Sequence, residues 1–104
     1  MKRFGLVGSF NARPGQGDAL AQLLVQAAEV LEANADCELY VVSRSPDDHD
    51  AVWVTEVWTS ADAHRASLED PAVRELITQA RPLIAGLGER FALTPVGGKG
   101  LPRT

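Results

Sequence analysis

Cysteine is all but missing from this chain of 104 residues. Cys37 stands alone, so neither an internal disulfide nor a cysteine metal cage can form, and a reducing compartment fits. Histidine is nearly as scarce: His49 and His64 are the only two, far apart in sequence, and no ligand spacing suggests a metal site. Basic residues are outnumbered, 10 Lys and Arg against 14 Asp and Glu, and they form no stripe that would neutralise phosphates, which argues against nucleic acid as a partner. No apolar run approaches the ~20 residues of a membrane span, and residues 1–10 lack the apolar core of a signal peptide. The expected setting is the cytoplasm, without a membrane partner. A dinucleotide fingerprint and a nucleophilic triad are missing too. Gly98-Lys99 fails as a phosphate loop, because Gly100 stands where Ser or Thr is needed and no helix follows. No cofactor, metal or haem is therefore expected, although a lone histidine such as His64 is chemically able to ligate haem axially.

What remains is an ordinary globular composition, 45% hydrophobic and 23% charged, which at this length points to one folded domain. A domain of this size buries roughly two-thirds of its unfolded surface, so a partner subunit would help it. Residues 1–97 are assigned to that domain, and the glycine-rich stretch 98–104, which has no periodicity, to a flexible tail.

The most informative stretch is 51–68, AVWVTEVWTSADAHRASL, where a strand signal runs directly into a helix signal. Period-two reading puts Val52, Val54, Glu56 and Trp58 on one face and Trp53, Thr55 and Val57 on the other. Both faces are mostly apolar, so the strand is covered on both sides and Glu56 needs partners or a raised pKa. Thr59 or Ser60 then caps a short helix carrying Asp62 and His64. An acid, an indole and an imidazole fall at one corner.

Upstream, residues 4–12 read as a first strand with Phe4, Leu6, Phe10 and Ala12 on one row, interrupted by Gly8, which reads as a bulge or close packing contact before it reads as a ligand gap. Leu20, Leu23, Leu24, Ala27 and Leu31 give a helical core stripe, and residues 37–45 a second strand apolar on both sides. The polar run 45–50 suggests a hairpin turn, with His49 solvated among its acids. Downstream, Asp70 and Pro71 open a helix whose stripe runs Val73, Leu76, Ile77, Ala80 and Ile84. Pro82 should break or kink it, Gly86 and Gly88 finish it, and residues 89–96 form the fourth strand. Strand, helix, strand, strand, helix, strand is the split βαβ order of an α+β, ferredoxin-like fold with a four-stranded antiparallel sheet and both helices on one face. The strands are apolar on their other side as well, which predicts a homodimer through the helix-free sheet face.

These residues resemble the antibiotic biosynthesis monooxygenase domain, part of the dimeric α+β barrel group that includes small quinol monooxygenases. The resemblance spans about 4–96 and rests on Asn11-Ala12-Arg13-Pro14-Gly15, Asp36-Cys37-Glu38-Leu39-Tyr40, Glu56-Val57-Trp58-Thr59-Ser60 and Asp70-Pro71-Ala72-Val73. The family's Glu and Trp correspond to Glu56 and Trp58. Its following histidine usually stands a turn later than His64, where this chain has Ser67. The haem-degrading branch has an asparagine near the position of Gly8 and a histidine near that of Leu68, and this chain departs from it at both.

What the resemblance implies is a cofactor-independent monooxygenase that oxidises a small phenol, hydroquinone or polyketide-like aromatic with O2, the substrate supplying the electrons. His64 is the expected base and Trp58 the accompanying catalytic residue, with Phe10, Asn11, Tyr40, Glu56, Arg81 and Phe91 as substrate-binding residues, Arg81 for an oxyanion. Some have a structural alternative: Trp58 as core, Arg81 in a surface ion pair, Glu56 at a dimer contact or helix cap. A noncatalytic small-ligand-binding or interaction dimer, or a haem-degrading or isomerase-type relative, is the alternative reading of the whole. Convergence of Trp58, Glu56 and His64 on one enclosed cavity is the feature that separates an enzyme from a packed interaction module.

Overall fold

Alternating side chains make β1 of Phe4–Ala12, β2 of Cys37–Arg44 and β3 of Ala51–Trp58 in the computed structural model, which describes residues 2–102. Their apolar inner rows settle against α1, Gly17–Leu31, and α3, Pro71–Ala80, while the short α2, Ala61–Ser67, follows β3 at the corner. With β4, Ile84–Leu93, the strands form one antiparallel sheet in the order β2-β3-β1-β4, the ferredoxin-like α+β arrangement expected. The sheet is open, and β2 and β4 are its edges. One chain does not close a barrel by itself.

The register of an antiparallel sheet assigns the faces, because residues directly opposite share a side. Tyr40, Glu56 and Leu6 form one row toward the helices, and Val42, Val54, Gly8 and Arg90 the next. Two buried clusters fill the space beneath the helices: Leu20, Val52 and Ala80 with their neighbours at one end, and Leu31, Trp58 and Val73 at the other. Val7, Val41, Thr55 and Phe91 run across the helix-free face.

α1 is capped across the chain. Gln16 occupies the N-cap position without a side-chain bond, and the Asp50 carboxylate instead accepts from the Gly15 and Gly17 amides at 3.1 and 3.0 Å. Gly15 has φ +82°, and a Cβ on Gly17 would overlap the His49 carbonyl, so both glycines are needed for this approach. α3 is capped locally, Asp70 accepting from the Ala72 amide at 2.8 Å with Pro71 in the first turn.

The fourth strand departs from the sequence-based expectation. It begins at Ile84 rather than residue 89 and ends at Leu93 rather than 96. Pro82 does stop α3, and a 3₁₀ turn over Arg81–Leu83 leads directly into the sheet. Ile84 therefore reaches the core from a strand instead of a helical stripe. Gly86 and Gly88 lie inside β4: Gly86 pairs with Asn11, and Gly88 sits where the register slips opposite Ser9. A Cβ on Gly88 would overlap the Ser9 hydroxyl, which accepts from the Glu89 amide at 3.0 Å, so this glycine marks a bulge rather than a helix end. The tail assigned to 98–104 includes residues 103–104, which lie outside the described residues.

Candidate active site

Trp58 ends β3 fully buried, at 0% exposure, and its indole Nε1 donates to Glu56 Oε1 at 3.0 Å. Such a bond meets both groups' needs, since a buried indole requires an acceptor and a buried carboxylate a donor. Ser60 then caps α2 by accepting from the Ala63 amide at 3.1 Å, and the helix this starts carries His64 back over the sheet. His64 Nε2 comes to 3.7 Å from Glu56 Oε1, and both side chains are 13% exposed. The imidazole lies 5.3 Å from the Phe4 ring and 5.6 Å from Trp58, edge-on to the indole.

Burial sets the charge states. It raises the Glu56 pKa, opposed by the Trp58 hydrogen bond and by the positive charge of Arg90. It lowers the His64 pKa, and Arg90 lowers it further. Acid and imidazole are thus both driven toward their neutral forms, with a proton-accepting nitrogen next to a carboxyl oxygen. Desolvation, with the nearby Glu56 charge, raises Tyr40 well above the usual phenol range and Cys37 to about 11. Tyr40 consequently keeps its phenolic proton, and Cys37 is an unreactive thiol.

Between the sheet and the α1 and α3 helices lies a cavity of about 360 Å³, lined mainly by apolar side chains. Trp58, His64, Phe10, Tyr40, Glu56 and Arg81 all line it. Asn11 and Phe91 do not. Asn11 is exposed and pairs with Ala51 and Gly86, while Phe91 pairs with Val7 on the helix-free face, where it is 49% exposed. Alternation within β1 already turns Asn11 away from the Phe10 row, whereas the face of Phe91 follows from the β1–β4 register, which a single strand's sequence does not contain. His49 stays in the exposed β2–β3 loop, its carbonyl accepting from Arg44. The cavity also takes in Ser9, Leu87, Glu89 and Arg90, none of which the sequence marks as site residues, and Ser67, at the position of the family's histidine. For Arg90 the available signal was Gly8, the gap in the row beside it. No cluster of three or more His, Cys, Asp or Glu able to hold a metal occurs among the described residues.

An antiparallel α+β sheet roofed by helices, with an acid, an indole and an imidazole in the wall of an apolar cavity, defines a domain of ferredoxin-like type. The sequence profile of the antibiotic biosynthesis monooxygenase family matches residues 3–79, and the chain belongs to that family. A crystal structure described as a candidate antibiotic biosynthesis monooxygenase from Chloroflexus aurantiacus J-10-fl is similar at 46% identity and TM-score 0.89, covering 96% of this chain and 99% of that one. SnoaB, a cofactor-independent oxygenase from Streptomyces nogalater, has the same fold at 19% identity and TM-score 0.78, covering 95% and 98%. Rv0793 from Mycobacterium tuberculosis does so at 20% identity and TM-score 0.78, covering 93% and 98%. No curated protein sequence matches the chain.

Proposed function

We propose that this protein is a cofactor-independent monooxygenase acting with O2 on a small phenol, hydroquinone or polyketide-like aromatic, as a cytoplasmic homodimer joined through the helix-free sheet face. The observation that carries the reading is the meeting of Trp58, Glu56 and His64 at 3.0 and 3.7 Å in the wall of one apolar cavity. A packed interaction module has no need of such a space. Family membership and the oxygenase activity named for SnoaB support the same reaction class.

The chemistry asks three things of the protein. His64, held neutral by burial, accepts a proton from the electron-rich ring, and the anion passes one electron to O2. Substrate radical and superoxide join as a carbon-bound peroxide, which takes back the proton and loses water, leaving one oxygen atom as a carbonyl and the other in that water. Glu56, its own orientation fixed by the Trp58 indole, stands 3.7 Å from the imidazole Nε2 and borders the space in which that ring works. The mostly apolar walls give the radical pair a poorly solvating surrounding.

Oxygen-electrode assays against hydroquinones and naphthols, with quinone formation followed by absorbance, test the reading. Stoichiometric O2 uptake and product are expected. Absence of turnover across the panel, with ligand binding intact, would leave a small-molecule binding domain in its place.

A further inference from the structure

We propose that Arg90 is the group that selects the cavity's ligand, holding an ionised oxygen on an aromatic frame, carboxylate or phenolate. This rests on the cavity being a ligand site, as in the proposed function, but not on oxygenase chemistry.

The placement follows from the sheet. Arg90 pairs with Gly8, so its side chain leaves β4 on the helix-facing side, and Gly8 has nothing to block it. A Cβ at Gly8 would stand 3.9 Å from Arg90 Cγ, so the arginine stem lies against the bare backbone of β1, and the exposed Arg90 lines the cavity at its rim. The next helix-facing residue along β4, Leu87, is 76% exposed, so the cavity opens toward this edge strand and Arg90 stands at its mouth.

Four other arginines, Arg3, Arg44, Arg65 and Arg74, each meet a carboxylate. Arg90 forms no ion pair among the described residues. A planar guanidinium with an unused donor fork suits two-point recognition of an oxyanion. Arg81 also lines the cavity, but Arg90 is the arginine whose charge reaches both Glu56 and His64. Two acids face the same space. Neither Glu89 nor Glu56 forms an ion pair with Arg90 among the described residues, and burial raises the Glu56 pKa against the lowering effect of the Arg90 charge.

Calorimetric titration with two matched pairs tests this: 2-naphthoate against 2-naphthamide, and ionised 4-nitrophenolate against 4-nitroanisole. The wild type should bind at least one anion about tenfold or more tighter than its neutral partner. Arg90→Gln should abolish that preference while leaving the neutral ligand within about twofold, Arg90→Lys should restore part of it, and Arg81→Gln should keep it. Preference for naphthoate alone identifies a carboxylate ligand, and for nitrophenolate alone a phenolate. No preference in the wild type, a preference that survives in Arg90→Gln, or no binding of any probe overturns the proposal. Because the readout is binding, an anion preference without O2 uptake would sink the oxygenase reading and leave this one standing.

Discussion

Glu56 and His64 face each other across 3.7 Å, and burial moves their pKa values in opposite directions. For Glu56 the folded value lies above the unfolded 4.5, so the folded state holds its proton longer and stability falls as pH rises from about 4.5 toward the folded value. Glu56→Gln keeps an acceptor for the Trp58 indole and removes this slope. Urea midpoints measured across pH should therefore show the variant gaining on the wild type as pH increases. For His64 the folded value lies below the unfolded 6.5, so stability is present above 6.5 and is lost as pH falls toward the folded value. His64→Asn should flatten that acid-side loss, and a wild-type profile without it would contradict the burial argument. On the proposed chemistry, His64→Ala should lower turnover by ~10²- to 10⁴-fold with substrate binding changed far less, as kcat and KM measured separately would reveal. Full activity in that variant would move the base elsewhere. The corner itself was legible in Glu56-Val57-Trp58-Thr59-Ser60, because a strand's alternation and a helix cap are local signals. Arg90 was not, because its face depends on pairing with a strand some 80 residues earlier in the chain, the separation spanned by the neighbouring Ser9–Glu89 bond.

Among the elements, β1, β2, β3 and α1 fall close to the residues that their periodicity predicts, and β4 does not. Gly86 and Gly88 carry the local signature of a helix ending, and only their fit against Asn11 and Ser9 reveals a strand with a bulge. Gly88→Ala should force the Ser9 hydroxyl off the Glu89 amide and crowd the bulge, costing about 1–3 kcal/mol in chemical denaturation. Gly86→Ala, with open space around its Cβ position, should cost much less. Equal effects at the two positions would mean that the close approach at Ser9 does not hold the register. The placement of Arg90 makes the bulge functional as well as structural, since a one-residue slip of β4 would turn that side chain to the opposite face.

For the whole molecule, the helix-free face sets Val7, Val41, Phe91 and Leu93 side by side, with Val41, Phe91 and Leu93 exposed. On the proposed reading a second copy covers this face through the same patch. Light scattering at micromolar concentration should give twice the chain mass, and Val7→Glu, at the centre of the face, should shift the population to monomer or unfold it. A wild-type monomer would rule out the dimer. The sequence suggested this surface through strands apolar on both sides, but it could not show that a single sheet stays open. Long-range dependence of another kind is built into the α1 cap. The carboxylate that receives the Gly17 amide belongs to Asp50, 33 residues downstream, so during synthesis the helix emerges well before its cap. Until Asp50 has been synthesised, the first-turn amides have only water to accept from them, so this cap closes after the whole helix sequence has been translated.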